Sequence, residues 1–110
     1  MDVHTAIETR RATRSLDPVE ITPDLVRDLA SHAQLAPSCF NYQPWRFVFV
    51  HEPGKIEAMK PVFNEGNSWC RAASLIVAVF SRKEDDCVIK DREYHQFDAG
   101  MATAFLILRA

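Results

Sequence analysis

The segment from Tyr94 to Leu108 constrains the fold more than any other part of the chain. Its apolar residues recur at helical spacing and predict an α-helix, and the other side of that helix is also apolar in its last turns. A helix that is apolar all round must be buried on all sides. It stops at Arg109-Ala110 with no C-cap glycine and no following proline. We therefore expect residues 1–110 to form a single domain that is cut short at its C-terminus. The residues at helical spacing are Tyr94, Phe97, Met101, Ala104, Phe105 and Leu108.

Two short apolar runs, Phe47–Val50 and Leu75–Phe80, predict buried β-strands because they are rich in strand-forming residues. Before them, Thr22-Pro23-Asp24 predicts a helix start, and Pro37 is expected to end that helix. The predicted order is helix, helix, strand, helix, strand, helix. Two strands are too few for a stable sheet, so other strands or another chain must join them.

Composition excludes several classes of protein. The 110 residues are 47% apolar and 25% charged, which is typical of a soluble globular domain. A net charge of −2 gives no basic field for nucleic acid. The longest fully apolar run, Leu75–Phe80, is far shorter than the ~20 residues that cross a bilayer, so no membrane partner is expected.

The cysteines and histidines predict neither a disulfide framework nor a metal site. The chain has three cysteines, an odd number, without CxxC spacing. This favours reduced thiols in a cytoplasmic protein. Its four histidines form no HxxxH or HExxH pattern, so each is interpreted as a surface or hydrogen-bonded residue. No GxGxxG or GxxxxGK[ST] motif is present, which leaves a Rossmann site or a P-loop unsupported.

Three arginines lie within five residues, at Arg10, Arg11 and Arg14. On a helix, Arg10 and Arg14 would share one face. The planar guanidinium fork matches phosphate oxygens, so the cluster is a candidate site for one phosphomonoester. The alternative interpretation is a solvated basic stretch, and spacing alone favours it.

An uncharged polar segment, Ala36–Trp45, joins the end of a helix to the first predicted strand. It carries hydroxyl, thiol, carboxamide and aromatic groups that could line a planar ligand. A structural turn, with Trp45 in the core, is an equally good interpretation. A second polar segment, Gly66–Trp69, precedes the next strand. Asn67 there is a ligand amide or a turn residue, and the turn is favoured on spacing.

Taken together, these segments resemble the FMN-dependent nitroreductase family. The resemblance is carried in order by Arg10–Arg14, Ala36–Phe47, Gly66–Trp69 and Asp98–Gly100, and it spans essentially the whole chain. It implies an α+β fold in which helices wrap a mixed central sheet, with only the N-terminal portion present here. It also implies an intertwined homodimer that holds FMN without a covalent link at the subunit interface.

The resemblance also implies roles for individual residues. The arginine cluster would bind the FMN phosphate, and the proline-serine loop of the partner subunit would lie against the flavin. The implied cofactor-binding residues are Arg10, Arg11, Arg14, Pro37, Ser38, Cys39, Asn41 and Asn67. No catalytic acid or base is implied, because the flavin carries the redox chemistry.

The implied activity is an oxidoreductase that takes electrons from NADH or NADPH by hydride transfer. It passes them in ping-pong order to a small electron-poor acceptor of the nitroaromatic or quinone type. Two alternatives stand beside it. One is a non-enzymatic module that binds a phosphorylated ligand or a partner protein, and the other is an inactive fragment of the enzyme.

Overall fold

Four α-helices and four β-strands form the regular structure, which a computed structural model describes over residues 1–110. The predicted order of helices and of the two main strands is confirmed. In chain order the elements are α1 (Val3–Thr9), α2 (Pro23–Ala33), β1 (Trp45–Val50), α3 (Pro53–Met59), β2 (Ile76–Ser81), β3 (Val88–Ile89), β4 (Arg92–Glu93) and α4 (His95–Arg109). Four short 3₁₀ segments lie at Cys39–Asn41, Lys60–Val62, Glu65–Ala72 and Lys83–Asp85.

Helix α2 begins where the sequence predicts. The Thr22 hydroxyl accepts a hydrogen bond from the Leu25 N–H at 3.1 Å, and Pro23 occupies the first helical position. Proline fits there because that N–H has no partner inside the helix. The helix ends at Ala33 and is followed by a turn at residues 34–35, so Pro37 lies beyond that turn and does not itself end the helix.

Strands β1 and β2 pair antiparallel, with Trp45 opposite Ser81 and Val50 opposite Ile76. Burial on both faces was predicted, and this is wrong. Side chains alternate across a sheet, so Phe47 and Phe49 face the helices while Val48 remains 49% exposed. Within this chain the sheet therefore has one covered face.

Helix α4 covers that face and joins two small core clusters. The first contains Ala36, Trp45, Ala99 and Ala102, and the second contains Leu29, Ala33 and Leu106. Only 11 of the 110 residues are buried, so this chain supplies a thin core. The α+β class is nevertheless confirmed.

The buried side of α4 differs from the predicted one. Asp98, Ala99, Ala102 and Leu106 are buried, whereas Phe97 is 65% exposed. The predicted burial of Phe97, Phe105 and Leu108 is wrong for this chain, because none of its other elements covers their side of the helix.

The charged segment after β2 is ordered. It forms a short 3₁₀ turn followed by the β3–β4 hairpin. Lys90 and Asp91 at its tip have φ values of 49° and 64°, as tight hairpin turns require. The hairpin leads directly into α4, which begins at His95.

The longest helix, α4, has 15 residues, and no helix of the structure combines the length and apolarity that crossing a membrane requires.

Replacing Trp45 with alanine tests the position of the core. Trp45 is 6% exposed and packs with Ala36, Ala99 and Ala102. We expect Trp45→Ala to lower the free energy of unfolding by about 3–5 kcal/mol, because the loss of a buried ring leaves a cavity. Trp45→Phe keeps most of the ring and should cost less. Denaturant unfolding of both variants measures the difference, and an unchanged midpoint for Trp45→Ala would contradict the core described above.

The exposed apolar surface predicts how the isolated chain behaves. Phe97, Phe80 and Phe105 are 65%, 55% and 41% exposed. Exposed apolar surface of this kind favours association in water. We expect the 110-residue chain, expressed alone, to aggregate and to purify without bound flavin. Gel filtration with an absorbance spectrum checks this, and a monodisperse dimer with one FMN per subunit would show the expectation to be wrong.

Candidate functional site

The arginine cluster lies just after α1, in an extended stretch that reaches to α2. Because α1 ends at Thr9, the cluster does not lie on a helix, and Arg10 and Arg14 do not share a helix face. The Arg11 guanidinium donates to the carbonyl oxygens of Glu8 at 2.7 Å and of Arg10 at 2.8 Å. No carboxylate lies within ion-pair distance of any of the three arginines, and all three side chains are exposed. The cluster therefore offers uncompensated positive charge.

The loop between α2 and β1, residues 37–44, has an unusual backbone. Phe40, Asn41 and Gln43 have φ values of 51°, 56° and 50°, in the left-handed region that side chains disfavour. Local hydrogen bonds support this shape, since the Ser38 hydroxyl accepts from the Gln43 N–H at 3.1 Å. Residues held in such conformations persist only when their surroundings fix them.

The N-terminal part of this loop is fixed by Asp98 of α4. Its Oδ2 accepts a hydrogen bond from the Cys39 N–H at 3.1 Å, and the Asp98 residue is only 1% exposed. No role for Asp98 was predicted, although the sequence carries a signal for it. Asp98, Ala102 and Leu106 are spaced four apart, so the carboxylate lies on the buried stripe of α4, where an acid needs a partner.

The cysteines differ from the prediction of three reduced thiols. Cys39 and Cys87 form a disulfide, with their Cα atoms 5.7 Å apart, whereas Cys70 is free as predicted. The two residues are separated by 48 positions, so sequence spacing says nothing about their proximity. Cys87 directly precedes β3, and the disulfide joins this segment to the loop between α2 and β1.

The C-terminal part of the loop is fixed to the segment after β2. The carbonyl oxygen of Pro44, which is fully buried, accepts from the Arg82 N–H at 2.7 Å. The Arg46 guanidinium donates to the carbonyl oxygen of Gln43 at 3.2 Å and pairs with Asp85 at 2.8 Å. The loop is thus held at both ends by residues distant in sequence.

Between these two anchors the loop presents uncharged groups to solvent. The side-chain amides of Asn41 and Gln43 make no hydrogen bond within the chain, and Phe40 is 73% exposed. Beside them lies a cavity of about 490 Å³. Its lining includes Gln34, Tyr42, Gln43, Trp45, Phe47 and Phe49. Neither this cavity nor a larger one, of about 540 Å³, is lined by any of the predicted site residues. The first cavity is the better candidate because it combines free amides with aromatic surface.

Asn67 lies within the short 3₁₀ segment before β2. Its side-chain amide donates to the Asn64 side-chain oxygen at 3.1 Å, and the residue is exposed. Nearby, the indole N–H of Trp69 is buried without a hydrogen-bond partner. A buried donor of this kind costs free energy unless a further group meets it.

A hydrogen-bonded network lies at the N-terminus of α4. His95 Nδ1 is 2.7 Å from the Ser81 hydroxyl, its Nε2 is 3.3 Å from Glu93, and Asp86 accepts from the Tyr94 N–H. Ligand atoms of Asp86, Glu93 and His95 lie within 4.8 Å of one another. Each already has a partner in the protein, so His95 is a hydrogen-bonded residue, as predicted. A hydrogen bond from Lys83, and then one from His95, lower the pKa of Glu93.

Lys83→Met tests this network by its effect on titration. The Lys83 ammonium, 2.8 Å from Glu93, is the main cause of the lowered pKa of that carboxyl. We expect the variant to raise the pKa of Glu93 toward its ordinary value of 4.5. NMR titration of the carboxyl carbon measures it, with Lys55→Met as the matched control on another exposed pair.

The sign of the pH dependence follows from the direction of that shift. A carboxyl group whose pKa is lowered by folding stabilises the folded state at pH values above its unfolded pKa, near 4.5. That stabilisation is lost as the pH falls through the folded-state pKa. Lys83→Met should therefore weaken the acid dependence of hairpin stability below that pH. An unchanged Glu93 titration in Lys83→Met would contradict the assignment.

The predicted site residues form two separate groups in the chain. Pro37, Ser38, Cys39 and Asn41 lie together on the anchored loop. No hydrogen bond or ion pair joins that loop to Arg10, Arg11, Arg14 or Asn67. The structure therefore presents a cationic surface and an uncharged surface that no hydrogen bond or ion pair connects within the chain.

Comparison with known proteins identifies the family. Residues 7–68, more than half of the chain, match the model of the Nitroreductase family, and the match includes both the arginine cluster and the loop. The chain belongs to the nitroreductase family.

Individual relatives agree with this assignment. YdgI of Bacillus subtilis, which carries the provisional name NAD(P)H nitroreductase, is 33% identical over 66% of this chain and 35% of its own length. An NADH dehydrogenase of Thermus thermophilus is 28% identical over 86% of this chain and 46% of its own length. The chain therefore spans less than half the length of these relatives.

A solved structure shows the same fold. A provisionally named nitroreductase of Desulfovibrio desulfuricans, solved in complex with FMN, is 27% identical to this chain. It superimposes with a TM-score of 0.81 over 98% of this chain and 61% of that chain. The elements described above therefore account for more than half of that fold.

Proposed function

We propose that this chain belongs to an FMN-dependent oxidoreductase that passes electrons from NAD(P)H to a small electron-poor acceptor in ping-pong order. One observation carries the proposal. In a chain of net charge −2, three arginines within five residues have no carboxylate partner. Unpaired guanidiniums at this spacing suit a phosphomonoester. The curated relatives named above are called NAD(P)H nitroreductase and NADH dehydrogenase, and the solved relative holds FMN.

The residues of this chain fit FMN in two places. Arg10, Arg11 and Arg14 would hold its phosphate, because the guanidinium fork makes charge-assisted bonds to phosphate oxygens. The loop around Ser38 and Asn41 would meet the flavin ring with neutral donors, acceptors and aromatic surface. When bound, the flavin supplies the two-electron redox chemistry, and the chain supplies binding and orientation.

A homodimer gives these two surfaces a common ligand. Within one chain the arginine cluster and the loop make no direct contact, whereas the loop of one copy could meet the cluster of another. The exposed apolar side chains of α4, including Phe97 and Leu108, offer surface for such an association. We therefore place FMN between two copies, with Asn67 contributing from the segment before β2.

Replacing the arginines tests the phosphate contact. In the native protein, Arg10→Ala with Arg14→Ala should weaken FMN binding far more than riboflavin binding, because only FMN carries the phosphate. Each charge-assisted contact is worth about 1.5–3 kcal/mol, so the loss of two should cost about a hundredfold or more in FMN affinity. Titration followed by flavin fluorescence measures both ligands.

Arg27→Ala is the matched control, because Arg27 is an exposed arginine of α2 that pairs only with Asp24. It should leave the affinity for both ligands unchanged. Equal losses for FMN and riboflavin in the double variant would show that the cluster does not hold the phosphate. A colourless native protein that binds phosphate but no flavin would instead support the non-enzymatic module.

A further inference from the structure

Cys39 is the point at which the loop is joined to the far half of the chain. Its backbone N–H donates to Asp98 of α4, and its sulfur is bonded to Cys87 in the segment leading to β3. Cys87 is 3% exposed, whereas Cys39 is half-buried. One residue thus carries both long-range connections of the N-terminal part of the loop.

The backbone next to Cys39 needs such connections. Phe40 and Asn41, which follow it directly, have positive φ values, and neither is glycine. The hydrogen bonds inside the loop, such as that from Asn41 N–H to the Ser38 carbonyl oxygen, are local and exposed. Removing one of the two anchors at Cys39 should therefore let these residues leave the left-handed conformation.

We propose that Cys39 and Cys87 are a redox-controlled clamp on this loop. The disulfide holds residues 38–43 in the conformation described above, and the dithiol releases them. The clamp is a covalent modification site of the chain, independent of any cofactor. Its effect on FMN rests on the proposed function, because Ser38 and Asn41 are among the residues expected to meet the flavin.

The chemistry balances with a small-molecule disulfide such as glutathione disulfide as the oxidant. The Cys39 thiolate, which is the more accessible, attacks it and displaces one glutathione thiolate, so a mixed disulfide forms. The Cys87 thiolate then attacks the Cys39 sulfur and displaces the second. Two cysteine thiols are oxidised and one glutathione disulfide is reduced to two glutathione thiols. A dithiol reductant reverses both steps. In the disulfide form the Cα separation of 5.7 Å is within the usual range for such a bond.

Limited proteolysis of the native protein without added FMN tests the clamp directly. Phe40 and Tyr42 are 73% and 56% exposed, and both are chymotrypsin sites. We expect cleavage after these residues to be about fivefold to tenfold faster in the dithiol form than in the disulfide form, since freeing one anchored residue changes the open population by about that factor. Mass spectrometry identifies the cut and counts the thiols in each form.

Matched variants separate the clamp from other thiol effects. Cys87→Ser should be cleaved at the faster rate under oxidising and reducing conditions alike. Cys70→Ser, which removes the free cysteine, should keep the full difference between the two forms. Equal cleavage rates for oxidised and reduced protein, or free thiols at Cys39 and Cys87 after treatment with glutathione disulfide, would overturn the proposal.

FMN titration of the two forms tests the link to the proposed function. The disulfide form should bind FMN about tenfold more tightly, because a preorganised loop loses less freedom on binding. Equal FMN affinity would remove the link to the cofactor. If neither form binds FMN, the proposed function fails, whereas the cleavage rates still decide whether the clamp exists.

Discussion

The contact of Ala99 and Ala102 with Trp45 and Ala36 determines the geometry around the candidate site. Because both α4 residues are small, the helix comes close to Ala36 and Trp45, which flank the loop. The loop is therefore held across the first turns of α4. Asp98 precedes Ala99 in α4, and its carboxylate accepts a hydrogen bond from the Cys39 N–H of the loop. A larger side chain at Ala102, which is fully buried, would push the helix away and separate this pair.

The two surfaces that bear on function are built in different ways. The loop is held by Asp98, Cys87 and Arg82, so the backbone that carries its exposed amides and rings is held in place. The arginine segment has no regular structure, and its nearest long-range link is the hydrogen bond from the Val19 N–H to the Ser74 hydroxyl at 2.9 Å. The preformed loop would select the shape of a ligand, and the adaptable cationic segment would bind its phosphate. This combination suits a nucleotide-like cofactor.

The sequence predicted the elements whose signals are local and missed those that depend on distant contacts. The Thr22 cap, the two main strands and α4 were predicted because capping and periodicity act within a few residues. The Cys39–Cys87 pairing and the role of Asp98 were not, since they join residues 48 and 59 positions apart. The periodicity of α4 places Asp98 on its buried stripe, but no local pattern identifies the partner. The exposed side of α4 was misjudged because an apolar helix does not indicate which of its sides this chain covers.

The anchors of the loop differ in how they respond to ionic strength. The Arg46–Asp85 pair is half-exposed, so concentrated salt weakens it as the Debye length falls from about 8 Å at physiological ionic strength to about 3 Å at 1 M. The Asp98 bond and the Cys39–Cys87 link are shielded or covalent and remain unaffected. Concentrated salt should therefore remove the Arg46 contact on the β2 side of the loop first, and leave in place both its Cys39 side and the backbone hydrogen bond between Arg82 and Pro44.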